Sequence, residues 1–540
     1  MKVRYLYLFI YFIALVVTAT DYRIRSLDEP VYLNATDVMR SSGDYLIPQY
    51  YWGKQRVNKP IGLYWLIIGG QYVLGKELLG ARIISIIALF ITVLLSYKIV
   101  KLLFPNHRHP EWVMFILPSI PFLFHMGRVA TPEMTLVAFI TLSHYFLFKI
   151  LIGKSLSRKL IFAFYGSMGL GFMIKGPPAV VFPLLTAIVY LSATKQWKFL
   201  FTLIINIKGW ALLMLIILPW YLFLIYQLGI DFFIELFERE IIQRIVFNNR
   251  TYSQGLFLIT FSPWIWLALQ EILSGIRSKP AASWTFGKKL IVSWFGSTTL
   301  FLILVVREYH NYYSLDYIVP VSLLVFLSLQ ETGVKKVLVT ISWTTLSLYA
   351  LGFISFPSLI ANHGLIWIGM ILLFAGAVLI SIQRDLQKLV MVGSFVIVLN
   401  LGYNYIWVLP SINIIPYNKF ITHVEEDPGS IVTSNRSNNL GVSHFFWYLK
   451  ADIRCTVIDD KTTFTKTVTD PPDPLKYAIC SIKAFDQMRD KVETKWNVVD
   501  ESYLFQGDFG SAQSKGIWQI IKNGSPGNLL HRYVLLKRKS

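Results

Sequence analysis

Thirteen apolar runs, each about 15 to 26 residues long, dominate the first 410 residues of this 540-residue chain. They cover residues 5–20, 78–103, 112–126, 134–150, 160–174, 177–191, 209–228, 255–273, 290–306, 314–329, 337–356, 365–382 and 389–409. A bilayer core of about 30 Å needs roughly 20 apolar residues as a helix. Such a series commits a chain to an all-α polytopic membrane protein, with the shorter runs extending into their loops. Composition agrees, with 54% hydrophobic and only 15% charged residues, against about 25% charged in soluble domains. Disorder, collagen, coiled coil and an ordinary cytosolic enzyme are excluded. Two cysteines cannot build a disulfide scaffold or a cysteine-rich metal centre.

The formal charge of +20 invites a nucleic-acid reading. The placement of the basic residues argues against it. With the N-terminus inside, the inner segments carry Lys2/Arg4, Lys98/Lys101/Arg108, Lys154/Arg158/Lys159, Lys195/Lys198/Lys208, Arg277/Lys279/Lys288/Lys289, Lys335/Lys336 and Arg384/Lys388. This is the positive-inside pattern repeated at every inner turn. The first run follows a basic start but leads into Thr20-Asp21-Tyr22-Arg23 without a small-residue cleavage site, so it reads as a retained span. Thirteen spans place the C-terminal segment outside. Residues 1–411 then form the membrane domain. Residues 412–540, which alternate short apolar runs with Pro/Gly turns, form a small α/β domain on the outer face. Cys455 and Cys480 both fall in it; a disulfide and two buried thiols are both open at this point.

The first outer loop, residues 21–77, is unusually long. Pro30 to Arg40 places Val31, Ala35, Val38 and Met39 on one helical face, with Asp28 as a cap and Pro30 in the first turn. Residues 61–74 are apolar but only about 21 Å long as a helix, too short to span. Both segments read as helices lying along the outer surface, a ledge for an entering lipid. Three polar clusters sit here: Asp28-Glu29-Pro30, Ser42-Gly43-Asp44-Tyr45 and Asn58-Lys59-Pro60. An acidic pair at a membrane face suits general-base work, divalent-ion binding or alignment of a sugar hydroxyl.

Basic residues at outer span ends run against the charge bias. Lys59, Arg128, Lys175, Arg239, Arg244, Arg250 and Arg307 are of this kind and come from five outer loops. Gathered together they would make a cationic pocket for a phosphate-bearing lipid head. Asp28, Glu29, Glu133 and Glu240 also lie at outer ends, whereas no run has a carboxylate near its centre. Ion-coupled transporters usually carry such central carboxylates, which favours interfacial chemistry over transport.

In order and in side of the membrane these motifs resemble the GT-C class of membrane glycosyltransferases that use polyprenyl-phosphate sugars. Within it the chain is most similar to the bacterial aminoarabinose-to-lipid-A transferases of the protein-mannosyltransferase-related group. The resemblance rests on Asp28-Glu29 with Tyr32, Ser42-Gly43-Asp44-Tyr45 through Pro48, and Lys59-Pro60 through Tyr64-Trp65. Further along it rests on Arg128-Val129-Ala130-Thr131-Pro132-Glu133, Lys175-Gly176-Pro177, Leu218-Pro219-Trp220-Tyr221, Glu240 through Arg244, and Pro263-Trp264. It covers about residues 1 to 410. The chain departs from the family at Val31 (usually arginine), Asn34 (usually glutamate), Asn58 (commonly glutamate) and Ile241 (usually histidine). The last two changes remove metal ligands; the first two weaken any claim on the aminoarabinose donor.

The resemblance implies a hexosyl or pentosyl transferase that moves a sugar, with inversion, from an undecaprenyl-phosphate-type carrier to lipid A, another envelope glycolipid or a protein. The reaction is expected at the outer face of a bacterial inner membrane, with the C-terminal domain in the periplasm. Asp28 and Glu29 are expected to be catalytic. Lys59, Arg128, Lys175, Arg244 and Arg307 are expected to bind the donor phosphate, and Tyr32, Glu133, Glu240 and Tyr313 to orient sugar or acceptor. His310 could line the far side of the cavity. No metal ligand set is assigned, and the clustered carboxylates leave a divalent cation open. A flippase for the same carriers is the alternative; it needs the cationic pocket but no acid opposite.

Overall fold

The computed structural model describes residues 2–20, 28–50, 55–75, 78–107, 109–238, 261, 264–277, 285–304, 311–330, 418–434, 455–458, 460–505 and 530–539. They fall into two compact units. One holds residues 1–21, 58–355 and 360–408; the other holds 22–57, 356–359 and 409–540.

The first unit is helical throughout its described residues. It opens with α1 (Lys2–Ala19), α3 (Gly62–Leu74) and α4 (Leu78–Leu103); α2 (Glu29–Ser42) belongs to the other unit. At 26 residues, α4 is about 39 Å long and spans a bilayer with room to spare. The run at 112–126 is not one helix. It breaks into a 3-10 turn (Pro110–Trp112), α5 (Val113–Ile116) and α6 (Pro121–Met126). Pro118 and Pro121 remove backbone donors, and the residue before Pro121 leaves helical geometry: Ile120 is extended at φ −76°, ψ 117°. Next come α7 (Pro132–Gly153), α8 (Arg158–Lys175), α9 (Pro178–Ala193), α10 (Trp197–Ile204), α11 (Ile207–Leu228), α12 (Ile230–Phe237), α13 (Ile265–Arg277) and α14 (Phe286–Leu304). A 3-10 segment, Asn311–Tyr317, leads into α15 (Ile318–Gln330).

Among the described residues, four stretches are long and apolar enough to cross a membrane: Leu78–Leu103, Pro132–Gly153, Trp197–Leu228 and Tyr312–Leu329. The expected runs at 337–356, 365–382 and 389–409 lie outside the described residues.

Polar side chains tie the helices where apolar packing alone gives no register. His144 on α7 stacks on Trp294 of α14 with ring centroids 3.8 Å apart. Its Nε2 lies 3.0 Å from the Thr186 hydroxyl on α9, which pairs with Ser297 at 2.8 Å. Buried polar groups linked this way specify one arrangement of three helices. Lys288, in the first turn of α14, forms an ion pair with the buried carboxylate of Glu271 on α13.

The helix α3, 13 residues long, is too short to span. It packs on α4 and α8 through Leu63, Tyr64, Ile67 and Ile68. Its other side exposes Trp65, Tyr72 and Val73, as an interfacial helix does.

In the second unit, α2 (Glu29–Ser42) is buried on more than the one face expected. Every residue from Glu29 to Thr36 is buried. After Glu29 these turns contain no charged side chain, so nothing obliges a face to meet water. Gly43, at φ +75°, ends the helix in the left-handed region.

The C-terminal part of this unit contains α16 (Asn418–Glu426), β1 (Ser430–Ser434), β2 (Cys455–Ile458), α17 (Lys461–Thr469), β3 (Leu475–Ser481), α18 (Ile482–Val492), β4 (Trp496–Phe505) and β5 (Leu530–Arg538). The sheet order is β2-β1-β3-β5-β4. The pairs of β1 with β2 and β3 are parallel, and those of β5 with β3 and β4 antiparallel. Val432, Phe464, Val468, Ala478, Phe485, Trp496 and Leu536 share its core. Asp427 takes hydrogen bonds from Lys476 and Lys537, which hold its carboxyl down at about 2. The disulfide left open by the sequence is excluded by register. Cys455 on β2 and Cys480 on β3 are separated by β1, about 9–10 Å of sheet, beyond the reach of an S–S bridge. Cys480 is a buried free thiol.

Candidate active site

The expected site residues divide between the two units. Asp28, Glu29 and Tyr32 lie at the start of α2 in the second unit. Lys59, Arg128, Glu133, Lys175 and Tyr313 lie in the first. Glu240, Arg244, Arg307 and His310 lie outside the described residues.

Asp28 stands at the N-cap of α2, but its backbone is already helical, at φ −79° and ψ −24°, and its side chain makes no cap hydrogen bond. The helix start is held instead by its carbonyl, which accepts from the amides of Val31 at 3.2 Å and Tyr32 at 3.4 Å. Capping, the structural use expected of this carboxylate, is therefore not its role. Glu29 is wholly buried in the first turn, where the helix dipole favours negative charge. Tyr32 lies beneath the guanidinium of Arg56, 4.7 Å from the ring centroid, and Tyr50 flanks the same group at 5.6 Å.

In the first unit, Lys59 and Pro60 lead straight into α3. Gly62 brings the α3 backbone against the end of α8: a Cβ there would lie 2.5 Å from the Met173 carbonyl oxygen. This contact fixes the Lys59 segment beside the end of α8 that carries Lys175. Gly62→Ala is expected to cost about 1–3 kcal/mol, read as a lower unfolding temperature of the purified protein. Gly176, at φ +94° and ψ −145°, turns the chain sharply between Lys175 and Pro177, a conformation that only glycine adopts freely.

Arg128 is fully enclosed, with its guanidinium 4.8 Å above the Phe124 ring. Burying a guanidinium costs several kcal/mol unless other groups offset it. Five residues on, Glu133 opens α7 and meets the Lys175 ammonium at 3.0 Å; the two side chains are 7% and 11% exposed. The same ammonium lies 4.5 Å from the Tyr312 ring centroid and 5.4 Å from that of Tyr313. Glu133, Lys175 and Tyr313 are thus brought together from α7, α8 and the 3-10 segment.

Two cations escaped the sequence reading. Arg82 is fully buried near the start of α4 and donates to the Ala19 carbonyl, the last residue of α1, at 3.1 Å. One turn on, Ser85 donates to the Val129 carbonyl at 2.6 Å, beside Arg128. Together they tie α4 to the end of α1, from which the first outer loop departs, and to the Arg128 turn. Arg56 is the second, 6% exposed. Both lie at the outer side in the expected topology, so the charge-bias rule that singled out Arg128 would have found them. Among the described residues, no three of His, Cys, Asp and Glu converge as metal ligands.

A helical membrane protein with an enclosed arginine, a buried lysine–glutamate pair and acids in its long first loop has the fold of the GT-C glycosyltransferases. Over 98% of its length it superposes on ArnT from Cupriavidus metallidurans bound to undecaprenyl phosphate, with a TM-score of 0.76, 14% identity and 97% of that chain covered. The oligosaccharyltransferase of Archaeoglobus fulgidus matches with a TM-score of 0.51 and 10% identity, over 93% of this chain and 73% of that one.

The particular resemblance, to the aminoarabinose transferases of the protein-mannosyltransferase-related group, holds in sequence too. Residues 58–223 match the family described as dolichyl-phosphate-mannose-protein mannosyltransferase. The chain is 26% identical over 250 residues to the undecaprenyl phosphate-alpha-4-amino-4-deoxy-L-arabinose arabinosyl transferase of Pseudomonas aeruginosa strain LESB58, covering 44% of each chain. It is 30% identical over 299 residues to an uncharacterized protein of Aquifex aeolicus strain VF5, covering 54% of this chain and 65% of that one. The aligned stretch thus spans 44% and 65% of the length of these relatives.

Proposed function

We propose that the protein is a membrane glycosyltransferase that takes its sugar from a polyprenyl-phosphate carrier of the undecaprenyl type. It delivers the sugar to an acceptor at the outer face of the inner membrane. Residues 1–411 carry the reaction, and residues 412–540 form the periplasmic domain. The observation that carries this reading is the enclosed Arg128 guanidinium at the start of the α7 segment, within a fold that superposes on a carrier-binding relative over nearly its whole length.

The chemistry follows from charge. An acceptor hydroxyl attacks the anomeric carbon, the bond from that carbon to the phosphate oxygen breaks, and the carrier leaves as polyprenyl phosphate. Negative charge grows on that leaving phosphate. Lys59, Arg128, Arg244 and Arg307 stabilise it more in the transition state than in the ground state, which is the condition for catalysis. Asp28 takes the proton of the acceptor hydroxyl, and attack opposite the leaving group inverts the anomeric carbon. Glu29, Tyr32 and Glu240 orient hydroxyls around the reacting carbon. No step is routed through a metal ion.

Lipid A, as in the arabinosyl transferase relatives, is the first acceptor to test, followed by other envelope glycolipids and proteins. Mass spectrometry of envelope glycolipids and glycoproteins from cells with and without the protein identifies the sugar and its attachment point together. A product that disappears with the gene and returns with the wild-type chain supports the reading. An unchanged set of glycans, with altered transport of the carrier, would favour a flippase instead.

A further inference from the structure

We propose that Lys175 is a positioning residue, not a ligand of the donor phosphate: with Glu133 it forms a buried charged lock that sets the Asn311–Tyr317 turn and so aims Tyr313 at the substrate. The ammonium of Lys175 already has close partners among the described residues. Glu133 takes it at 3.0 Å, in a site where both side chains are nearly enclosed. The rings of Tyr312 and Tyr313 stand over it at 4.5 and 5.4 Å, within the range of cation–π attraction. The two rings contact each other edge to face, with centroids 4.8 Å apart.

A phosphate ligand needs spare positive charge. Here the cation is already paired with Glu133, so a phosphate brought to Lys175 would meet that carboxylate as a like charge. The cluster is instead built to hold three elements together. Glu133 comes from the first turn of α7, Lys175 from the last turn of α8, and the tyrosines from the 3-10 segment. Gly176 and Pro177 end α8 immediately after the lysine, which fixes where its side chain departs. A short 3-10 turn has poorer backbone hydrogen bonding than an α-helix, so it gains most from such a side-chain anchor.

The test uses the full-length protein in detergent micelles, with Lys175→Met, Glu133→Gln, the double variant and Lys175→Arg. Hydrogen exchange at amides 311–317 reads the turn directly and needs no ligand. Binding of undecaprenyl phosphate, followed by native mass spectrometry, reads the phosphate site. Each neutralising substitution is expected to speed exchange in the turn by roughly tenfold, and the double variant no further than either single one. Affinity for undecaprenyl phosphate should stay within about threefold of wild type, and Lys175→Arg should restore slow exchange.

Unchanged exchange in the turn overturns the proposal. So does a loss of carrier affinity of about tenfold or more in Lys175→Met that Glu133→Gln does not share. If Lys175→Met does not accumulate, Glu133→Asp, which keeps the charge and withdraws it by one methylene, carries the exchange measurement. The ligand arm rests on the polyprenyl-phosphate reading. Failure of the wild-type protein to bind undecaprenyl phosphate would remove that reading and leave the exchange arm to decide the lock.

Discussion

Asp28→Asn is expected to lower turnover by about 10²–10⁴-fold, the usual contribution of a positioned general base, while carrier binding changes little. The substitution keeps the shape of the side chain and removes its basicity. The Asp28 side chain does not cap α2, so the start of that helix should be kept in the isosteric variant. Single-turnover rates and equilibrium binding of undecaprenyl phosphate, measured on the same preparation, separate the two effects. A variant that keeps wild-type turnover would remove Asp28 from the mechanism. A flippase would give that result too, which makes this the sharpest division between the two readings.

Arg128→Gln is expected to weaken undecaprenyl phosphate binding by roughly 10- to 100-fold, the loss that follows when a charge-assisted contact is removed from an enclosed site. Turnover should fall further than binding, because the leaving phosphate gains charge as the glycosidic bond breaks. Lys59→Met is the comparison. Lys59 is half-buried where Arg128 is fully buried, so its effect should be smaller and should shrink further as salt is raised. Equal, salt-independent losses in both variants would mean that the two cations do not divide the phosphate site as proposed.

Much of this was legible in the sequence because bilayer length and loop charge are strong constraints. The runs at 78–103, 134–150, 160–174 and 209–228 became α4, α7, α8 and α11 within a few residues. The run at 112–126 misled because hydropathy registers side chains, whereas Pro118 and Pro121 act on the backbone. The sequence reading understated how much of α2 is buried, for a related reason. Its apolar stripe was read as one face, yet polar but uncharged Asn34 and Thr36 are buried with it. In the site, Lys175 was found by its charge, but its partner could not be. Glu133 lies 42 positions earlier in the chain, and only the packing of α7 on α8 joins them. Arg82 was overlooked although it obeys the rule that found Arg128, since it lies inside a long apolar helix where no loop drew attention to it.

The strand order of the C-terminal sheet has a practical consequence. With β1 inserted between Cys455 and Cys480, and burial pushing the Cys480 thiol up to about 12, this sheet can mature without the cell's thiol-oxidising machinery. Strains lacking that machinery should yield the protein as readily as wild type, and reductant during purification should leave the sheet intact.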